Sequence, residues 1–244
     1  MCGIAGFFHY RKGLPPDTEG LRRMLESVRY RGPDHLGIFS EGEIAIGNVR
    51  LAILDTSDRG NQPIFNEDNS VVVVYNGEIY NFPELRKTLE EKGHRFRTDT
   101  DTEALVHLYE EYGLGMAERL NGMFAFALFD RQKRSLVIAR DRTGQKPLYL
   151  HWNKDGLVFC SELKALLPYL DSRMIDAKAL REFFSLGYAL EPGTMLHGVE
   201  ALEPGTIMDI SGAAQHKKTF WQPLFPEKAP AQRCADHGLF KRRR

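Results

Sequence analysis

The hydrophobic pattern changes period several times along the chain, and each change marks a predicted element. Gly3–His9 (GIAGFFH) is apolar almost throughout, as a strand buried on both faces is. Residues 18–30 instead place Leu21, Met24, Leu25 and Val28 at helical spacing, and Arg31-Gly32-Pro33-Asp34 breaks that helix. Residues 44–54 return to a strand-like pattern, with Ile44, Ile46, Leu51 and Ile53 apolar and Arg50 set among them. Residues 55–63 read as a turn-rich loop. A β-branched strand follows at 71–75, and Asn76-Gly77 reads as a turn at its end. Residues 83–92 predict a helix closed by Gly93. Thr100-x-x-Glu103 has the form of a capping box for the next helix, which carries Leu105, Leu108, Tyr109 and Tyr112 and stops at Gly113.

Residues 123–130 and 136–140 predict a hairpin. Residues 148–152 and 157–160 predict another, across Asn153-Lys154-Asp155-Gly156. Helices are expected at 161–167 and at 176–186, the second capped by Asp176. From Gly187 on, Glu191-Pro192-Gly193, Glu203-Pro204-Gly205 and Ser211-Gly212 punctuate short strands. This order argues for an α+β fold with largely antiparallel sheet. The expected division is a core over 1–170, an extension over 171–222 and an irregular tail over 223–244.

Composition narrows the classes. Of 244 residues, 42% are hydrophobic and 27% charged, which suits a globular chain with a substantial core. Lys+Arg and Asp+Glu are balanced at 33 each, so no charge excess argues for nucleic acid or acidic lipid as a partner. The three cysteines (Cys2, Cys160, Cys234) form neither a disulfide framework nor a metal spacing. The eight histidines show no HxxxH pattern, and no metal site is expected from spacing. With no signal-peptide pattern and no long apolar run, the expected location is the cytoplasm, away from membranes. The terminal Lys241-Arg242-Arg243-Arg244 run reads as a solvated basic end.

Cys2 is the residue with most chemical promise. A small residue in second place lets Met1 be clipped, which makes Cys2 the N-terminus. Its α-amine, titrating near ~8, then stands beside the thiol as a base. Taken alone, Cys2 reads as a buried thiol at a strand start, Asn76-Gly77 as a hairpin turn and Arg50 as a strand-edge charge. Glu78 alone reads as a solvated turn residue and Asp101 as a helix cap.

Taken together, the ordered segments Cys2-Gly3-Ile4, RGPD (31–34), RLAILD (50–55), NQP (61–63), YNGEIYN (75–81), TDTE (100–103), NGMFAFALFD (121–130) and ARDRTGQKPLY (139–149) resemble a known family. It is that of the N-terminal class II, or Ntn-type, glutamine amidotransferase domains of glutamine-dependent asparagine synthetases. The resemblance is dense over 1–167 and thinner to Trp221. It implies a four-layer αββα sandwich of two largely antiparallel sheets. It further implies that Cys2 attacks the L-glutamine side-chain amide through a thioester, with Asn76 and Gly77 holding the oxyanion. Arg50 is implied to grip the substrate α-carboxylate, Glu78 and Asp101 its α-ammonium, and Ile53 and Leu54 to offer backbone bonds. Arg140-Asp141-Arg142 and Lys146-Pro147 read as structural ion pairing. The synthetase signature SGGxDS is not matched by Ser211-Gly212-Ala213-Ala214. The expectation is an ammonia-producing half with no cofactor of its own, ATP and Mg²⁺ entering only with a separate synthetase domain. That synthetase would act in trans. A homodimer, a non-catalytic glutamine-binding module and an inactive shortened chain stay open.

Overall fold

In the computed structural model, which describes residues 1–10 and 14–224, strands assemble into two six-stranded sheets. The first contains β1 (Gly3–His9), β2 (His35–Glu41), β3 (Ile44–Arg50), β8 (Tyr149–Trp152), β9 (Gly156–Cys160) and β10 (Glu200–Ala201), in the order β10-β8-β9-β1-β3-β2. The second contains β4 (Ile64–Phe65), β5 (Val71–Ile79), β6 (Gly122–Asp130), β7 (Ser135–Arg140), β11 (Thr206–Ser211) and β12 (Ala214–Thr219), in the order β12-β11-β7-β6-β5-β4. Every strand pair is antiparallel. The strands at 200–219, in the expected extension, complete an edge of each sheet. Cys234 and the 241–244 run lie outside the described residues.

Side-chain alternation along the strands builds the layers. Ile4 and Phe8 of β1, Ile44 and Ile46 of β3, and Val72 and Val74 of β5 face one core between the sheets. The opposite faces of β1 and β3 (Ala5, Phe7, Ala45, Val49) pack on Leu21, Met24 and Leu25 of α1 (Thr18–Ser27). The outer face of the second sheet, with Val73, Tyr75, Phe124 and Phe126, lies under α2 (Phe82–Glu91), α3 (Thr102–Tyr112) and α4 (Met116–Arg119). Helix α5 (Leu163–Leu166) adds Ala165 and Leu166 beside α1. This is the αββα sandwich. Asp17 caps α1 through Gly20 N at 2.7 Å. Asp176 caps α6 (Ala177–Leu186) as expected, accepting from Lys178 N and Ala179 N at 2.9 Å.

Three local expectations are corrected, and one strand was not anticipated. Asn76-Gly77 is no turn: β5 runs through it to Ile79, with Gly77 opposite Phe124. A Cβ on Gly77 would sit 2.3 Å from Met123 O, so this glycine serves close strand approach. Thr100 and Glu103 form no capping box. The Glu103 carboxylate reaches back to Arg97 N (2.8 Å) and Thr98 N (2.7 Å), because the segment before α3 folds across its first turn. The strand expected over 44–54 ends at Arg50, whose guanidinium gathers the following loop. Strand β2 was not legible, since RGPDHLG reads as a breaker, yet His35–Glu41 pairs with all of β3.

Gly37 on β2 controls how closely the 61–63 segment can lie, because a Cβ there would stand 1.9 Å from Gln62 O. Overpacking of this kind costs about 1–3 kcal/mol. Gly37→Ala is expected to lower the urea midpoint accordingly, and a wild-type midpoint would contradict the close-approach reading.

Candidate active site

Cys2 stands immediately before β1, whose start is fixed from both sides. Ile4 N donates to Ser161 Oγ at 3.0 Å and Ser161 N to Ile4 O at 2.9 Å. Arg31, which is buried, donates from Nε to Cys2 O at 2.9 Å and pairs through Nη1 with Glu162. The Cys2 Sγ accepts from Leu51 N at 3.4 Å. Cys2 also lines a cleft together with Arg50, Asn76 and Gly77. Burial pushes the thiol pKa up, against the lowering effects of the Leu51 hydrogen bond, the chain N-terminus and Arg50.

Strand β5 forms the opposite wall, and its hydrogen-bond pattern matters most. Phe124, opposite Gly77, turns both backbone groups away toward Asp141: Phe124 N donates to Asp141 Oδ2 (3.1 Å) and Asp141 N to Phe124 O (2.8 Å). Gly77–Phe124 is therefore a non-hydrogen-bonded pair, and alternation sends the N–H groups of residues 75, 77 and 79 off the β6 side of the strand. β4 covers β5 only at Val72 and Val73, so those N–H groups meet an open edge. Tyr75 N is taken by Gln62 Oε1 at 2.7 Å and Ile79 N by Asp101 Oδ2 at 2.8 Å. Between them the Gly77 N–H points at the cleft that Gly77 lines. The Asn76 side chain is 1% exposed, and its Nδ2 has no hydrogen-bond partner. Two unpaired donors thus face one cleft with a thiol.

Two acids line the same cleft. Asp101 Oδ2 accepts from the Tyr75 hydroxyl at 2.9 Å as well as from Ile79 N, and Thr100 Oγ1 donates to its Oδ1 at 3.3 Å. Burial raises the Asp101 pKa; it also raises that of Glu78, with Asp101 as the second cause and Lys146 opposing. Two carboxylates, each resisting ionisation, form a site for a cation. Arg50 is buried too, and its Nη1 donates to Ser57 O (3.1 Å) and Asn61 Oδ1 (2.9 Å). Its Nη2 donates to Leu54 O (3.0 Å) and Asp55 O. The loop's oxygens thus hold all four Nη hydrogens.

Cys2, Arg50, Ile53, Leu54, Asn76, Gly77, Glu78 and Asp101 all line this cleft. Sequence reasoning gave no site role to Gln62, Tyr75, Asn48 or Arg31. Asn48 Nδ2 donates to Tyr75 O at 3.0 Å, tying the sheets together beside the cleft. A polar Asn48 in an apolar strand and a Gln62 before proline were the available signals. Arg140 forms the expected ion pair, with Glu191 at 3.0 Å, whereas Asp141 and Arg142 form none among the described residues: Asp141 accepts from the backbone N–H groups of Phe124, Gln145 and Lys146, and Arg142 donates to Leu120 O. Lys146 departs from that reading, because it lines the cleft with Nζ 3.4 Å from Met1 Sδ.

The family model for the glutamine amidotransferase domain matches residues 1–221. The chain is 35% identical over 225 residues to glutamine-hydrolyzing asparagine synthetase 3 of Bacillus subtilis, which aligns 91% of this chain with 36% of that protein. It is 44% identical over 171 residues to glutamine-hydrolyzing asparagine synthetase 1 of Arabidopsis thaliana, covering 68% and 28% respectively. The chain spans about a third of the length of the curated relatives it matches. Among solved structures, glutamine phosphoribosylpyrophosphate amidotransferase of B. subtilis shares the fold at TM-score 0.66 and 21% identity. That likeness covers 92% of this chain and 50% of that one. No helix of the described residues is long and apolar enough to cross a membrane.

Two predictions follow from the electrostatics. With Met1 in place, alkylation of Cys2 by iodoacetamide is expected to have its pH midpoint above that of free cysteine, about 8.5. Peptide mass spectrometry reads this, and a midpoint below it would contradict the effect of burial. For Glu78, a carboxyl pKa raised on folding makes the folded chain the better proton binder between the unfolded and folded values. Stability then falls as pH rises through that window, and the deficit stays complete above the folded pKa. Glu78→Gln is expected to raise Tm at neutral pH, the gain fading below the unfolded value of about 4.3. A variant with lower Tm at neutral pH would contradict the assignment.

Proposed function

The chain belongs to the glutamine amidotransferase domain family, and from that premise we propose that it hydrolyses the side-chain amide of L-glutamine at Cys2, releasing ammonia for an asparagine-synthetase-type acceptor. The observation that carries this reading is the pair of free donors, Asn76 Nδ2 and Gly77 N–H, in the cleft that Cys2 lines.

Removal of Met1 exposes the Cys2 α-amine, which takes the thiol proton directly or through a water. The sulfur attacks the amide carbon. Charge develops on the carbonyl oxygen, and the two donors stabilise it without rearranging, because the sheet holds their backbone. The amine returns its proton to the leaving nitrogen, the C–N bond breaks, and ammonia departs from a γ-glutamyl thioester. Water then adds to the thioester, its proton passing to the same amine, and glutamate leaves as the thiol is restored. The α-ammonium and α-carboxylate of the free amino acid sit on one carbon, so Glu78, Asp101 and Arg50 hold that carbon between them while the side-chain amide extends toward Cys2. Glu78 and Asp101 receive its α-ammonium, whose charge offsets the burial that raises both pKa values and the repulsion by Asp101 that adds to the rise at Glu78. Arg50 receives its α-carboxylate as a fork, for which the 54–61 loop must yield Nη hydrogens now held by its oxygens. Backbone groups of Ile53 and Leu54 border the same cleft. ATP and Mg²⁺ belong, in this reading, to the acceptor reaction of a separate synthetase domain.

Purified wild-type chain is expected to release glutamate from glutamine, and Cys2→Ala to release none while keeping its circular dichroism. Asn76→Ala is expected to lose about 10²–10³-fold in kcat with KM changed little, since its donor acts on charge that exists only in the transition state. Full turnover by Cys2→Ala would overturn the nucleophile. Glutamine binding by wild type with no glutamate formed would make the chain a binding module instead.

A further inference from the structure

On the outer helical side, three segments bring four metal-ligating side chains together. Glu67 lies between β4 and β5, His94 follows α2, and His107 and Glu110 stand three residues apart on α3. None of them lines the cleft. One ligand atom from each falls within 4.8 Å of all the others. We propose that Glu67, His94, His107 and Glu110 bind one divalent cation of the zinc class in a tetrahedral two-imidazole, two-carboxylate site that braces α3 against its neighbours.

The distances suit such an ion. Ligands about 2.0–2.2 Å from a tetrahedral centre are separated from one another by about 3.3–3.6 Å. His94 Nδ1 lies 3.3 Å from Glu67 Oε1 and 3.8 Å from Glu110 Oε2. His107 Nδ1 lies 3.2 Å from Glu67 Oε2 and 3.3 Å from Glu110 Oε2. Both imidazoles turn the same nitrogen toward the same two carboxylates, their rings 4.6 Å apart.

The surroundings are those that orient metal ligands. His94 turns its other nitrogen, Nε2, to Glu111 Oε1 at 3.3 Å, and Glu111 is anchored by Lys92 at 2.5 Å. His107 Nε2 is buried, has no hydrogen-bond partner and faces Glu103 Oε1 at 3.8 Å. The ligating carboxylates are held too: Glu110 Oε1 by Asn66 Nδ2 at 2.7 Å and Glu67 Oε1 by Arg95 N at 2.9 Å. Spacing along the chain gave no hint of this site, because only His107 and Glu110 are near one another in sequence. The carboxylates of Glu67, Glu103, Glu110 and Glu111 surround the two imidazoles, which favours a cation, and a proton shared between imidazole and carboxylate is the competing occupant.

The test uses the full chain carrying Cys2→Ala, which removes the cleft thiol as a ligand. After chelator treatment and dialysis it is titrated with Zn²⁺ against a chromogenic chelator, and separately with Co²⁺. The expected result is one tight equivalent of Zn²⁺, an intense tetrahedral Co²⁺ visible spectrum and a higher Tm with Zn²⁺. Glu67→Gln and His94→Gln, at partly exposed positions, are expected to weaken binding by at least about 10-fold and abolish the Tm rise. Glu111→Gln is expected to weaken it about 10-fold through His94. No tight equivalent in the parent chain would overturn the site in favour of the proton. Unchanged affinity in both ligand variants would place the ion elsewhere and equally overturn it.

Discussion

The open edge of β5 is the constraint on which the cleft depends. An antiparallel strand sends alternate N–H groups to opposite sides, and a buried N–H without a partner is costly. At residues 75, 77 and 79 those groups leave the sheet where β4 no longer covers them. Gln62 satisfies the first and Asp101 the last. The middle one belongs to glycine, so no side chain shields it, and under the proposed function it is a fixed donor for an oxyanion. The same alternation makes Asp101 serve two purposes. Its Oδ2 closes the strand edge and receives the Tyr75 hydroxyl, while burial beside Glu78 leaves the pair in need of a cation.

The second requirement is that the two sheets hold their facing walls at a fixed separation. The apolar core between them does most of this, but polar ties are placed at the cleft end. Asn48 reaches from β3 across to Tyr75 O, and Arg31, backed by Glu162, grips the Cys2 carbonyl. Ser161 pins β1 one residue further in than Gly3. The nucleophile is thus carried by a central strand, while the surroundings of Arg50 are built from a loop. That loop's carbonyls are gathered on the guanidinium itself, so under the proposed function they must release it for the substrate carboxylate.

How much of this the sequence disclosed depends on the kind of signal. Period-two and apolar runs such as GIAGFFH, together with the helical spacing of Leu21, Met24 and Leu25, disclosed the elements that make the layers. The site residues came from ordered motifs; no single residue's chemistry would have selected Gly77 or Asp101. Asn76-Gly77 misled because its turn propensity is a local property, whereas the neighbouring β6 backbone overrides it. β2 was hidden by RGPD, whose breaking character ends one element without forbidding another. Gln62 and Asn48 were visible only as polar residues out of place. The Glu67, His94, His107 and Glu110 group was invisible for a simpler reason: three separate segments build it, and spacing reads only one.

The central claim is that Cys2 becomes acylated between two preorganised donors. Its most direct test is to mix the chain with glutamine, quench in acid within one turnover and map the Cys2 peptide by mass spectrometry. The account predicts a γ-glutamyl group on Cys2 that is lost on treatment with hydroxylamine, as a thioester is. Glutamate formed with no trace of acylated Cys2, in a chain that turns over at the same rate as Cys2→Ala, would contradict it.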